Sequence, residues 1–431
     1  MTFLNTNRIF IAIGIAMFMA ACSNDDTRRT AHTLTSDIER NIDTNATPEE
    51  IKALASDNNG FASNLFRELY KGETGNLFYS PYSISHAMVM ACAGSAGDTK
   101  NEIAKTFGWE GYEDDALHDT FNALDRQVVL SDDDAVFETA DALWPAQDIE
   151  IEQSYVDTLR YHYGAPVQTL DYANAPEPSR EIINGWVEEK THGTIRDLIP
   201  EGSFDANTAL VISNAVYFAG QWGTEFNASL TQDDLFTLKD GTQVSVPFMY
   251  TEVQARYQDS GDYEVVDLLF IGNKFMRIIF PAEGKFDTVL GNVDAVLTLL
   301  QEKTSTDSDS VVQEVHLHMP KFTIQTPLYD LRPSLATLGM RLAFDRDLAD
   351  FSRMSDVYRL FMEELFHKAY ISVDEKGCEA SAATAIVIEA DEGYTPPETI
   401  ELTLDRPFIF TIQNAQNGQV LFMGTVMNPE N

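Results

Sequence analysis

Few residues in this chain are spaced for catalysis. The run AGSAG at residues 93–97 places Ser95 between glycines, but Ala93 stands where a nucleophile elbow needs its first glycine. There is no H-E-x-x-H pattern and no phosphate-binding loop. His316 and His318 lie two apart, so on a strand both rings share a face and could chelate a metal; the sequence offers no third ligand beside them. A Ser/His/Asp triad assembles only in three dimensions, and nothing along the chain nominates its nucleophile. The 3 cysteines, Cys22, Cys92 and Cys378, are too few and too distant for a disulfide framework. Cys92, in the apolar run HAMVMACAG, reads as a buried small hydrophobe. Cys378, in more polar company, reads as an exposed thiol.

One stretch stands apart: VDEKGCEASAATAIVIEADEGYTPPE, residues 373–398. Counted in twos from Cys378, the even positions (Cys378, Ala380, Ala382, Thr384, Ile386, Ile388, Ala390) carry no charge and no very large side chain. The charges Glu379, Glu389 and Asp391 fall on the odd positions, and only Glu392 breaks the parity. That is the two-residue period of a strand with one closed and one open face. Yet Gly and Ala are weak strand formers, so the segment is better suited to entering a narrow gap than to starting a sheet. Just before it, AYISVDE alternates as a strand with Ile371 and Val373 on one face, and Gly377 would let the chain reverse. The stretch can therefore be an exposed loop or a strand added beside its predecessor. Each ladder bond so formed contributes ~0.5–1.5 kcal/mol net. Insertion wins over the ordering cost only when the loop's ends are released, as a cut would do.

The surrounding elements are those of an α+β chain. TPEE at the start of residues 47–50 supplies a cap, a first-turn proline and first-turn acids for a helix, in which Phe61, Leu65, Phe66 and Leu69 share a face. A second helix follows SPYS, with Ile84, Met88 and Cys92 on one side. FETADALWPA, FMRIIFPA and EVHLHMPKFTIQT read as strands, KTSTDSDS as a surface loop, and the C-terminal segment as a hairpin turning at Asn417 and Gly418. Helices crowd the first third and strands the remainder, without the regular alternation of a parallel α/β fold.

Composition excludes some partners. With 68 acids against 29 Lys plus Arg the formal net charge is −39, which repels nucleic acid and anionic lipid. At the N-terminus, Arg8 precedes an apolar run of the length of a signal-peptide core, too short to span a bilayer. It ends MAAC, which resembles the lipobox of bacterial lipoproteins and implies a signal over residues 1–21, lipidation of Cys22 and an anchor in the outer membrane of an envelope. The polar residues 23–46 read as a flexible tether, with residues 22–57 leading into a body over 58–431.

From about residue 58 onward the chain resembles the serpins. The resemblance rests on NLFYSPYSISHAMVMACAGSAGDTKNEIAKTF, INGWVEEKTHGTIRDLIP, LVISNAVYFAGQW, LGMRLAFDRDLADFSRMS, LFHKAYISVDEKGCEASAATA and DRPFIFTIQNAQNGQVLFMGTVMNP, in family order. It implies the serpin fold: a large central β-sheet, further sheets, about eight to nine helices and an exposed reactive loop. It also implies a monomeric inhibitor of serine or cysteine proteases, without cofactor or metal. The protease cuts the loop, is held as an acyl-enzyme, and is carried along as the loop enters the central sheet. On this resemblance the hinge is Glu375, Gly377, Cys378, Glu379, Ala380, Ser381, Ala382, Ala383 and Thr384, with Cys378 departing from the usual threonine. Ser80, Ser83, Asn214 and His367 match positions under the sheet that govern its opening, and Trp222 the point where the loop enters. Family spacing puts the scissile bond at Asp391, followed by Glu392. A shifted frame would instead select Tyr394, Ile388 or Ala390.

Overall fold

In the computed structural model the described residues are 31–71, 75–129, 135–297, 312–378 and 399–430. In chain order the strands are β1 (His32–Leu34), β2 (Leu77–Tyr79), β3 (Ala135–Thr139), β4 (Ala142–Pro145), β5 (Val167–Thr169), β6 (Leu210–Gln221), β7 (Gln232–Thr237), β8 (Gln243–Asp259), β9 (Tyr263–Leu269) and β10 (Lys274–Pro281). They continue with β11 (Val312–Pro320), β12 (Phe322–Gln325), β13 (Tyr329–Asp330), β14 (Leu365–Lys368), β15 (Tyr370–Val373), β16 (Gly377–Cys378), β17 (Ile400–Thr403), β18 (Phe408–Asn414) and β19 (Val420–Val426). The α-helices among the described residues are α1 (Pro48–Tyr70), α2 (Pro81–Gly94), α3 (Gly97–Phe107), α4 (Asp114–Val129), α5 (Gln153–Tyr163), α6 (Pro176–Lys190), α7 (Phe286–Gly291) and α8 (Arg332–Leu338).

The strands form two sheets. A 9-stranded sheet runs β17-β11-β8-β9-β10-β18-β19-β2, with β7 beside β8. A 10-stranded sheet runs β1-β5-β4-β6-β16-β15-β12, with β3 and β14 also on β6 and β13 on β14. Helices α1 to α6 precede most of the strands, as the sequence pattern expects. Thr47 caps α1 as expected: its side chain accepts from the Glu50 N–H while Glu50 returns a bond to the Thr47 N–H, closing a capping box. Helix α2 is buried almost all round, not only on the face of Ile84, Met88 and Cys92, because it lies beneath a sheet. Cys92 is the buried small residue expected, and burial pushes its thiol up to about 11.

The reading of residues 23–46 as a tether fails from Ala31 onward. His32, Thr33 and Leu34 pair with Thr169, Gln168 and Val167 of β5. The Asn41 N–H donates to Tyr161 O at 2.8 Å. Arg40 reaches Asp125 at 2.5 Å and Asn122 at 3.1 Å. Asp125 is buried in α4, and a buried carboxylate left without its cation is costly. The docking rests on one buried charge, a short ladder and scattered polar bonds, none of which leaves a hydrophobic period in the sequence.

Candidate functional site

Strand β6 is the spine of the 10-stranded sheet and has two different neighbours along one edge. At its lower end β14 runs parallel to it, Leu365 opposite Ile212, Phe366 opposite Ser213, His367 opposite Asn214 and Lys368 opposite Ala215. At its upper end β16 takes that place, antiparallel, with Gly377 opposite Gln221 and Cys378 opposite Gly220. Cys378 also pairs with Val373 of β15. The chain thus rises through β14 and β15, reverses, and wedges two residues between its own strand and β6. The alternation expected for β15 is present, with Ile371 and Val373 buried and Tyr370 and Ser372 half-buried.

The reversal is built from residues 374–377. The Asp374 carboxylate accepts from the Lys376 N–H at 2.8 Å and the Gly377 N–H at 3.3 Å, while the Asp374 N–H donates to Gly377 O at 3.0 Å. The remaining carbonyls face a fixed donor set. Asp374 O accepts the Trp222 indole N–H at 3.0 Å, Glu375 O accepts the Phe226 N–H at 2.9 Å, and Lys376 O accepts the Trp222 N–H at 2.8 Å. Trp222 is itself locked, stacked on Phe270 with ring centroids 4.4 Å apart. Gly377 has φ +153°, and a Cβ there would meet Gly220 O at 2.0 Å, so no other residue fits. The Glu375 carboxylate takes Lys321 Nζ at 2.5 Å and the Thr231 hydroxyl at 2.7 Å. Burial raises its pKa, but the bonds from Lys321 and Thr231 outweigh that and hold it below the usual value.

Cys378 corrects the expectation of an exposed thiol. It is fully buried, because the wedge carries it into the core between β6 and β15. Of the expected hinge, Glu375, Gly377 and Cys378 are described here; Glu379, Ala380, Ser381, Ala382, Ala383 and Thr384 lie outside the described residues. So do the scissile candidates Asp391, Glu392, Tyr394, Ile388 and Ala390, the loop KTSTDSDS, and Cys22.

Below the wedge, Ser80, Ser83, Asn214 and His367 come together. The Ser80 N–H donates to His367 Nε2 at 3.1 Å, which leaves the proton on Nδ1, and Nδ1 lies 2.6 Å from Asn214 Oδ1. Asn214 Nδ2 then donates to Ser83 Oγ and to Asp141 Oδ1, each at 2.7 Å. Ser83 Oγ donates to Asp141 at 3.2 Å, and Ser80 caps α2 through the Ser83 N–H. His367 is neutral in this network, and burial pulls its pKa down to about 3. One chain of bonds therefore ties α2, β6 and β14 to the turn between β3 and β4.

Two members escape sequence reasoning, Asp141 and His86. His86 Nδ1 lies 2.9 Å from Asp141 Oδ2. The available signal was a lone acid in the apolar run ADALW and a histidine in an apolar helix. Ser83, Asp141 and His86 also bring a serine, an acid and a histidine together. Here serine and histidine both bond the acid and not each other, and all three are buried beneath the sheet. That arrangement activates no hydroxyl.

Comparisons with known proteins agree with this architecture. A family profile described as "Serpin (serine protease inhibitor)" matches residues 56–429. A serpin-like protein of Methanosarcina acetivorans is 33% identical over 379 residues, covering 88% of this chain and 86% of that protein. The leukocyte elastase inhibitor of Equus caballus is 32% identical over 385 residues, covering 88% of this chain and 100% of its own. The crystal structure of a thermophilic serpin, tengpin, in the native state superposes with a TM-score of 0.78 at 24% identity, covering 92% of this chain and 99% of that one.

Proposed function

Because the chain belongs to the serpin family and has its fold, we propose that it inhibits a target protease of the serine or cysteine class as a suicide substrate. Serpins are in general protease inhibitors, and the particular mechanism is our reading. The protease attacks a bond in residues 385–398, forming an acyl-enzyme at the new C-terminus. Freed at one end, the segment after Cys378 extends β16 downward between β6 and β15. Asn214 and His367 part as β14 leaves β6, and the protease is carried to the far end of the sheet. The observation that carries this reading is the wedge itself: Gly377 and Cys378 already sit as the first rung of an added strand, above a seam closed by four residue pairs. The uncharged even positions from Ala380 to Ala390 would then face the core. We further infer that a signal over residues 1–21 is removed, that Cys22 carries lipid, and that the inhibitor protects a bacterial envelope as a monomer anchored to its outer membrane.

The test is incubation with proteases of acid-directed, chymotrypsin-like and elastase-like preference, followed by denaturing gels. A covalent band of summed mass supports the reading, and the mass of the released C-terminal peptide identifies the bond among Asp391, Glu392, Tyr394, Ile388 and Ala390. Loop cleavage with the protease still turning over would instead make the chain a non-inhibitory serpin. Hydrolysis of esters by the chain alone would make it an enzyme. Ala382→Arg is expected to leave cleavage intact while abolishing the covalent band, since an arginine cannot enter the sheet cheaply.

A further inference from the structure

We propose that His316, Glu314 and Glu252 form a site for a divalent cation of the zinc type on the outer face of the 9-stranded sheet, away from the seam. In β11 the residues Val315, Leu317 and Met319 are buried, so Glu314, His316 and His318 face outward. Register then does what the sequence alone did not reveal. His316 stands directly opposite Glu252 of β8 on one side and Glu401 of β17 on the other. One ligand atom from each of Glu252, Glu314 and His316 lies within 4.8 Å of the others. The missing third ligand is supplied by a neighbouring strand.

The imidazole is oriented for coordination. Its Nδ1 lies 2.9 Å from Glu401 Oε1, and an ionised carboxylate only accepts, so Nδ1 carries a proton. Its Nε2 faces Glu314 Oε1 at 3.5 Å. A tetrahedral zinc with bonds of about 2.0–2.1 Å sets a nitrogen-to-oxygen separation of about 3.3 Å, which this pair can reach with a small adjustment. Glu401 is then the outer carboxylate that fixes the ring, the usual partner of a metal-bound histidine. The Tyr250 hydroxyl steadies Glu252 with a bond of 2.9 Å. His318 is occupied otherwise, its ring 4.8 Å from that of Tyr250. A surplus of negative charge over the whole chain raises the local concentration of cations. Three protein ligands leave one position for water. An ion here would also brace β17 through Glu401.

Zinc chloride alone, titrated calorimetrically into the full chain, tests the site. The expected result is one saturable event that raises the melting temperature. It should weaken at least about 10-fold in His316→Ala and by about 10-fold in Glu401→Gln, and survive in His318→Ala. Glu252→Gln serves as a second ligand variant should His316→Ala fold poorly. Absence of a saturable event overturns the proposal. So does an affinity unchanged in His316→Ala or in Glu252→Gln, which would assign the ion to the general acidity of the surface. None of these outcomes bears on protease inhibition.

Discussion

The two sheets of this protein are completed to different degrees. In the 9-stranded sheet, β18 and β19 are buried at every residue and pair along their length. Gly424 sits so close to β2 that a Cβ would meet Leu77 O at 2.6 Å and the Phe410 ring at 3.0 Å. In the 10-stranded sheet, β6 and β14 meet over four residue pairs, above which β16 stands between β6 and β15. One sheet is close-packed at Gly424, and in the other a two-residue strand stands above a four-pair seam. On the mechanism proposed above, the first sheet holds the molecule together while the second rearranges.

Substitutions at matched positions should sharpen this contrast. The largest effect is expected from Gly424→Ala, where neither the facing backbone nor the Phe410 ring can yield. Overpacking there should lower stability by about 3 kcal/mol, read as a shift in the urea midpoint. Next comes Asn214→Ala. It strips His367, Ser83 and Asp141 of a partner at once, and a buried polar group left unmatched costs about 1–3 kcal/mol. The same change should speed sheet opening, measurable as faster formation of any covalent protease complex.

A pH effect of intermediate size follows from His367. Burial depresses its pKa to about 3, so below about pH 6.5 the unfolded chain binds a proton that the folded chain excludes. Stability is therefore unaffected by this group above pH 6.5 and falls as the pH drops, by about 1.4 kcal/mol per pH unit. Unfolding titrations of His367→Asn between pH 6 and pH 5 should lack that share of the slope; an unchanged slope would mean the ring is protonated in the fold. The smallest loss is expected from Gly377→Ala. The clash with Gly220 is more severe than the one at Gly424, but only a two-residue strand need withdraw. Global stability should fall by a little more than about 1 kcal/mol. Hydrogen exchange at the Trp222 and Phe226 amides, which donate to Lys376 and Glu375, should lose its protection. If Gly377→Ala instead unfolded the protein as Gly424→Ala does, the distinction between the two sheets would fail.

Local features of this fold were legible in the sequence, and long-range ones were not. The capping box at Thr47, the alternation of β15 and the reversal at Gly377 rest on neighbours a few residues apart. Periodicity reports which way a side chain faces, but not which strand will lie opposite. That is why Glu252 and Glu401 could not be matched to His316, nor Arg40 to Asp125. The exposure of Cys378 was misjudged for the same reason. Its flanking residues are small and polar, yet burial is decided by the distant strand β6 against which it pairs. Ser80, Ser83, Asn214 and His367 were found only through family resemblance, while Asp141, which bonds two of them, carries no such mark.

The central claim is that the 10-stranded sheet is unfinished and that cutting the chain within residues 385–398 lets it finish. Thermal melting of the intact chain beside the same chain cleaved once in that segment tests it directly. The account predicts that the cleaved form melts higher, by more than about 10 °C. A cleaved form that melts at or below the temperature of the intact one would contradict it.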